Sequence, residues 1–218
     1  MSRPPNWRTL APGEIERESL ARIDRLLGAG PEENPATRAL TRRLVYASGD
    51  LGMADLVRHS PGALEAGVAA LRAGATIVCD VRMLASGVSV AASQRLGCAM
   101  ECAVAQPGAT ERARAEGITR TAAGLLLLEP SLRGAVVAIG NAPTALLALL
   151  ELIGLGRAAP ALVVGTPVGF VAAAESKELL RHSVVPYVTV VGTRGGSALA
   201  AATINLLLDW ASGDGAPA

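Results

Sequence analysis

Three short segments of this chain combine residue types that can bind a multiply charged anion. Segments 140–144, 165–170 and 192–197 each follow a hydrophobic run and contain glycine, which lets the backbone approach a ligand closely. Each leads into a predicted helix start, where unpaired backbone N–H groups favour negative charge. Segment 192–197 adds Arg194 to Gly195, Gly196 and Ser197, the last of which is expected to cap the helix. A plain strand-to-helix turn with a solvated arginine explains this last segment about equally well.

Other kinds of site find little support in the sequence. No GxGxxG motif follows the first predicted strand and no GxxxxGK[ST] motif occurs, so nucleotide binding is disfavoured. His59 and His182 lie in unrelated segments, and structural roles are expected for both, at a helix C-terminus for His182. No serine or cysteine has a base at a spacing that indicates a nucleophile. The cysteines lack metal-ligand spacing and are expected to be reduced structural thiols: Cys79, Cys98 and Cys102.

The composition indicates one domain without a strongly charged surface. Among 218 residues, 20 Lys and Arg nearly cancel 19 Asp and Glu, so neither nucleic acid nor a membrane is an expected partner. No signal-peptide core begins the chain, and its most hydrophobic stretch, 158–174, is interrupted by glycine and proline. We therefore expect a cytoplasmic protein with a domain at 11–211 and flexible tails at 1–10 and 212–218.

Strand-like and helix-like segments alternate along the chain. The β-branched runs are hydrophobic almost throughout, as in parallel strands covered on both faces: 76–81, 135–139, 161–164 and 187–191. Helix-like segments precede and separate them: 14–27, 35–43, 61–73, 119–128, 143–153, 171–182 and 197–210. Ser60 and Pro61 are expected to start the third helix, and residues 44–47 fit a strand or a helix end. This alternation predicts a single-domain α/β fold, doubly wound, with a mostly parallel sheet and helices on both faces.

Several of these segments together resemble the precorrin-8X methylmutase family. The resemblance is carried by segment 60–75 (SPGALEAGVAALRAGA), by Asp80, Met83 and Gly87, and by segments 138–146 (AIGNAPTAL), 165–177 (GTPVGFVAAAESK), 186–187 and 194–197. It runs from about residue 15 to about residue 206. It implies a homodimeric α/β enzyme of cobalamin biosynthesis with a shared active site.

The resemblance also implies the reaction. Such an enzyme moves a methyl group from C-11 to C-12 of the tetrapyrrole polycarboxylate precorrin-8X, or of its cobalt-containing counterpart, to give hydrogenobyrinate or cobyrinate. No cofactor and no metal ligand are expected, because the methyl group migrates within the ring system. The enzyme would hold the acetate and propionate arms, which suit arginine side chains and helix N-termini.

Matching positions then assign the site residues. Ser19 and Arg43 match substrate contacts, and Arg120 matches an active-site arginine. Segment 88–109 departs from the family pattern, and Ser89 is taken as the substrate-contacting hydroxyl of that segment. The remaining expected substrate-binding residues come from the glycine-rich segments: Asn141, Arg194, Gly195, Gly196 and Ser197. Without the resemblance, we would interpret Arg43 as a solvated residue on a helix.

The position of the family's proton donor also departs from the family pattern. The family has Arg-x-x-His-Ala-x-Gly, with the histidine as proton donor, whereas residues 43–49 here read RLVYASG and put Tyr46 at that position. An imidazole exchanges protons at about pH 6.5 and a phenol at about pH 10, so Tyr46 is expected to act as a hydrogen-bond donor to the macrocycle. In one version of this hypothesis, the protein is still an isomerase but His59 supplies the proton. The main alternative is a corrinoid carrier without isomerase activity, and a remoter one is an unrelated anion-binding α/β protein.

Overall fold

The computed structural model describes residues 11, 13–28 and 34–213. The predicted tail 1–10 lies outside these residues, as does the predicted tail 212–218 apart from Ser212 and Gly213. No helix in this described part of the chain has both the length and the apolar content needed to cross a bilayer.

A six-stranded sheet forms the centre of the described residues, in the order β1-β6-β5-β4-β2-β3. Its strands are β1 Val57–His59, β2 Ile77–Cys79, β3 Met100–Cys102, β4 Val136–Ile139, β5 Leu162–Gly165 and β6 Tyr187–Val190. β1 is antiparallel to β6, and all other neighbouring strands are parallel. The predicted strand runs form β2, β4, β5 and β6, and the sheet is mostly parallel as expected.

Ten α-helices surround the sheet in the described residues. They are α1 Glu14–Leu27, α2 Pro35–Ser48, α3 Ala63–Arg72, α4 Arg82–Gly87, α5 Val90–Arg95, α6 Ala109–Glu116, α7 Arg120–Leu127, α8 Pro143–Gly154, α9 Ala173–Arg181 and α10 Ser197–Ala211. Short 3₁₀ helices cover Leu51–Leu56, Ala103–Ala105 and Glu129–Ser131. Residues 44–47 belong to the end of α2, so the strand alternative for them is wrong.

Alternate strand residues pack on opposite faces of the sheet. In β4, Val136 and Ala138 belong to a core with α2, α3, α4, α5 and α10, whereas Val137 and Ile139 belong to a second core with α7, α8 and α9. All four side chains are fully buried. Strands buried on both faces explain the near-continuous hydrophobic runs. The predicted doubly wound α/β fold is confirmed.

The start of α3 differs from the prediction. α3 begins at Ala63 after Gly62, which has a φ of 73°, and no side chain caps it. Ser60 instead pairs with β6, since its Oγ accepts the Tyr187 N–H at 3.1 Å and its own N–H donates to the Tyr187 carbonyl at 3.0 Å. The expected serine cap is therefore wrong, because a partner distant in sequence takes up the hydroxyl.

Candidate functional site

The carboxyl ends of the parallel strands lie along one edge of the sheet. From β2 the chain proceeds to β3 on one side, then returns to β4 on the other side and continues outward to β5 and β6. Ligands of open α/β sheets bind beyond the carboxyl ends of the strands, where this direction reverses. The loops after β2, β4, β5 and β6 are therefore the structural candidates for a site.

Asp80, directly after β2, occupies the point of reversal. Its side chain is fully buried, and its carboxylate accepts the N–H groups of Asn141 at 2.7 Å, Ala142 at 2.8 Å and Val81 at 2.8 Å. Burial raises the pKa of Asp80, and the backbone donors offset part of that rise. The carboxylate thus fixes the loop from β4 into α8.

The loops after β4, β5 and β6 pack backbone against backbone. A Cβ at Gly195 would lie 2.2 Å from the Thr166 carbonyl oxygen, and a Cβ at Gly140 would lie 2.6 Å from Ser197 Cα. The Gly196 N–H donates to the Thr166 carbonyl at 2.7 Å. Both positions therefore require glycine, because any side chain would collide with a neighbouring loop.

Arg194 is oriented by a partner from another part of the chain. Its guanidinium Nη1 lies 2.5 Å from Asp50 Oδ2, and its side chain is still 54% exposed. Asp50 itself is fixed, since its other carboxylate oxygen accepts the Gly52 N–H at 2.9 Å. Arg194 is therefore not a freely solvated arginine. Asp50 orients its guanidinium, which stays partly exposed to a ligand.

The start of α10 differs from the serine cap expected at Ser197. Ser197 is the first helical residue, its N-cap is Gly196, and no side chain bonds to the free N–H groups of the first turn. An uncapped helix start suits a negatively charged ligand better than a capped one.

Lys177 contacts the loop between β6 and α10 and is not among the site residues predicted from the sequence. It is the only lysine of the chain, it is 1% exposed, and its Nζ donates to the Arg194 carbonyl at 2.5 Å. Burial lowers the pKa of Lys177 to about 8. Two signals in the sequence could have found it: it is the lone lysine of an arginine-rich chain, and it ends segment 165–177, which resembles the family.

Tyr46 and Ser19 line one groove between α1 and α2. The groove has a volume of about 410 Å³, and its walls include Gly49 and Leu51, which flank Asp50. Tyr46 is 38% exposed in the last turn of α2. The Ser19 hydroxyl donates to the carbonyl of Ile15 at 2.6 Å. The structure thus brings Tyr46 and Ser19 together in a groove that is also lined by both sequence neighbours of Asp50.

Arg43 lies one turn before Tyr46 on α2. Its Nη1 donates to Glu16 Oε1 of α1 at 2.6 Å, and its side chain is 24% exposed. Arg43 therefore joins the two helices that form the groove and leaves part of its guanidinium accessible.

Arg120 and Asn141 lie further along the carboxyl edge. Arg120 is exposed at the start of α7, next to Thr119, whose Oγ1 is 2.7 Å from the Oγ1 of Thr144 in α8. Asn141 is exposed three residues before Thr144. Through Gly140 this region adjoins Ser197, so the edge is continuous from Arg120 to Arg194.

Ser89 is not brought to this edge within one chain. Its N–H donates to Asn205 Oδ1 at 2.8 Å, and its hydroxyl caps α5 by accepting the Ala92 N–H at 3.3 Å. Asn205 lies eight residues into α10, which corresponds to about 12 Å along the helix axis from Ser197. Ser89 is therefore well separated from the Arg194 loop.

His59 lies far from Tyr46. Its Nε2 is 3.0 Å from the Thr37 hydroxyl and its Nδ1 is 3.1 Å from the Ser60 carbonyl. The Ser60 carbonyl can only accept, so Nδ1 is the donor in that contact, whereas the Thr37 hydroxyl can donate to or accept from Nε2. Thr37 precedes Tyr46 by nine residues in α2, about 13 Å along the axis. His182 ends α9, where its Nδ1 contacts the Glu178 carbonyl at 2.9 Å, as its predicted C-terminal role requires.

The three cysteines carry no reactive signature. All three are free thiols, and Cys79 and Cys98 are buried. Burial raises the pKa of Cys79 to about 12 and also raises that of Cys102. Because the thiolate is the nucleophile and the metal ligand, these shifts disfavour both roles. The described residues contain no cluster of His, Cys, Asp and Glu that could hold a metal ion.

The fold and the site define a class: a doubly wound α/β protein with a glycine-rich, arginine-bearing edge suited to an anionic ligand. Comparison with known proteins narrows this class. The family model for precorrin-8X methylmutase (CbiC) matches residues 14–210. The chain belongs to the precorrin-8X methylmutase family, whose members are isomerases of cobalamin biosynthesis.

Individual relatives agree with this assignment. The chain is 50% identical over 173 residues to the precorrin-8X methylmutase of Pseudomonas aeruginosa. That alignment covers 77% of this chain and 81% of the relative. It is 36% identical over 202 residues to the cobalt-precorrin-8 methylmutase of Priestia megaterium, covering 91% and 88%. The crystal structure of precorrin-8X methylmutase from Thermus thermophilus superposes with a TM-score of 0.83 at 38% identity, covering 91% of this chain and 98% of that one.

Proposed function

We propose that this protein moves a methyl group from C-11 to C-12 of precorrin-8X, or of its cobalt-containing counterpart, in cobalamin biosynthesis. The observation that carries the proposal is that Gly49 and Leu51, which line the groove of Tyr46, stand on either side of Asp50, the ion-pair partner of Arg194. A large substrate with carboxylate arms needs both an edge that binds anions and a donor that faces the ring.

In this proposal the carboxyl edge binds the substrate through its arms. Arg194 offers a partly exposed guanidinium, and the uncapped start of α10 offers backbone N–H groups. Arg120 and Asn141 extend the same edge towards α7 and α8. Arg43 and Ser19 would contact the substrate from the side of the groove.

Tyr46 takes the place of the family's histidine in the proposed mechanism. Its hydroxyl donates a hydrogen bond to a nitrogen of the macrocycle and favours the tautomer from which the methyl group migrates. The bond to C-11 breaks as the bond to C-12 forms, so the reaction needs no external electron or group donor. His59 takes no part within one subunit, because both of its ring nitrogens have partners, and Thr37, the partner of Nε2, lies about 13 Å from Tyr46 along α2.

The proposal includes a homodimer with a shared active site. Ser89 lies about 12 Å along α10 from the start of that helix, and in the proposed dimer it contacts the substrate held by the other subunit. We also propose that residues 11–211 form the domain and that the protein works in the cytoplasm. Light scattering after size-exclusion chromatography tests the dimer, and a mass of one chain would contradict it.

Turnover is the test of the proposed function. The purified protein is mixed with precorrin-8X, and separately with the cobalt-containing counterpart, while absorption spectra are recorded. Appearance of the hydrogenobyrinate or cobyrinate spectrum at catalytic protein concentration supports an isomerase. Bound pigment without conversion would contradict the proposal and support the corrinoid carrier.

A further inference from the structure

A buried charge contacts the Arg194 loop (residues 191–196) and has no role in the proposed mechanism. Lys177 is 1% exposed, and its Nζ donates to the Arg194 carbonyl at 2.5 Å. An ammonium is costly to bury, so it is retained where its charge or its hydrogen bond serves something specific. Apolar packing alone would be better served by leucine or methionine at this position.

The hydrogen bond from Lys177 fixes the direction of the next N–H group. A trans peptide unit is planar, so its carbonyl and its N–H point in opposite directions. All described peptide bonds are trans. With the Arg194 carbonyl held inward by Lys177, the Gly195 N–H points away from α9. Within the described residues this N–H has no acceptor.

We propose that Lys177 is a positioning residue that turns the Gly195 N–H outward, where this N–H and the Arg194 guanidinium together receive one carboxylate arm of the substrate. The inference rests on the proposed function, because it assigns a subsite for the same ligand. A backbone N–H beside a guanidinium gives a carboxylate two donors, one for each oxygen.

The surrounding contacts make this orientation rigid. Gly195 is packed against Thr166, and the neighbouring Gly196 N–H bonds to the Thr166 carbonyl at 2.7 Å. The Gly195 N–H therefore differs from its neighbour, which is already satisfied. The charge of Lys177 also polarises the peptide group that it bonds and makes the outward N–H a stronger donor.

Steady-state kinetics of Lys177→Met test the positioning role. The variant keeps an unbranched apolar chain and removes the donor. Since a charge-assisted hydrogen bond to a bound arm is lost, KM should rise about tenfold or more while kcat stays within about threefold. Ser176→Ala is the matched control, because Ser176 is equally buried on α9 and bonds only within its helix, to the Ala173 carbonyl. Unchanged KM in Lys177→Met would overturn the inference.

A second measurement uses the wild-type protein and does not depend on the folding of a variant. Hydrogenobyrinate is titrated into the protein while the amide resonance of Gly195 is followed by NMR. We expect this resonance to shift and its hydrogen exchange to slow on binding. Binding of the pigment, seen in its own absorption, without a response at Gly195 would overturn the inference and leave the proposed function standing. A response at Gly195 without conversion of precorrin-8X would instead overturn the isomerase.

Discussion

The packing of Gly195 gives a sharp prediction for Gly195→Ala. The new Cβ would lie 2.2 Å from the Thr166 carbonyl oxygen, so the two loops must separate by about 0.8 Å to reach the 3.0 Å that real Cβ contacts keep. The φ of Gly195 is not in the left-handed region, so the collision acts alone. A separation of this size breaks the 2.7 Å bond from the Gly196 N–H to Thr166. One lost backbone hydrogen bond costs about 1 kcal/mol of stability.

The same shift displaces Arg194, and a misplacement of about 1 Å in a substrate-positioning group can reduce the rate about 100-fold. We therefore expect kcat/KM of Gly195→Ala to fall about 10- to 100-fold while thermal unfolding shows a folded protein. Gly154→Ala is the control, because Gly154 ends α8 and a Cβ there meets nothing within 4 Å. It should keep wild-type turnover. Wild-type kcat/KM in Gly195→Ala would refute the role of the loop.

Three further predictions concern buried or partnered groups. Because burial lowers the pKa of Lys177 from 10.5 to about 8, the unfolded state binds more protons than the folded state between these values. Lys177 should therefore add to the free energy of unfolding as the pH rises through that window, by at most about 3 kcal/mol. This increment is the difference between wild type and Lys177→Met, because the buried thiols of Cys79 and Cys102 act in the opposite direction in both proteins. Asp80→Asn should lower the free energy of unfolding by about 1–3 kcal/mol, because an amide has one oxygen and its NH₂ must face either the Val81 N–H or the N–H groups of Asn141 and Ala142. A denaturant midpoint equal to wild type would contradict this. His59→Ala should keep kcat within about twofold, and a large loss of kcat would restore His59 as the proton source.

The fold class could be predicted from the sequence because β2, β4, β5 and β6 are hydrophobic on both faces, a pattern that few other elements produce. The amphipathic spacing of α1 likewise predicts its range, Glu14–Leu27. β1 could not be predicted, since its three residues form a strand only by pairing with β6. Propensity carries no information about such pairing.

The site was predictable only in part, for a related reason. The glycine-rich loops and Arg194 are visible as local motifs. The partners that orient Arg194 are not, because Asp50 is 144 residues away in sequence and Lys177 is 17 residues away. Ser60 shows the opposite error. Its position predicts a local helix cap, but its hydroxyl accepts the N–H of Tyr187, which is distant in sequence. Position matching assigned Ser89 to the substrate, and one chain alone does not carry it to the carboxyl edge.

The single-turnover rate of Tyr46→Phe tests the central claim most directly. The variant removes the hydroxyl and keeps the ring that lines the groove with Ser19 and Leu51. Loss of one hydrogen bond to the reacting ring should slow conversion of precorrin-8X about tenfold, with little change in the affinity for the substrate. Tyr46→His, which restores the family's residue, should convert the substrate at least as fast as wild type. Conversion by Tyr46→Phe at the wild-type rate would contradict the role of Tyr46.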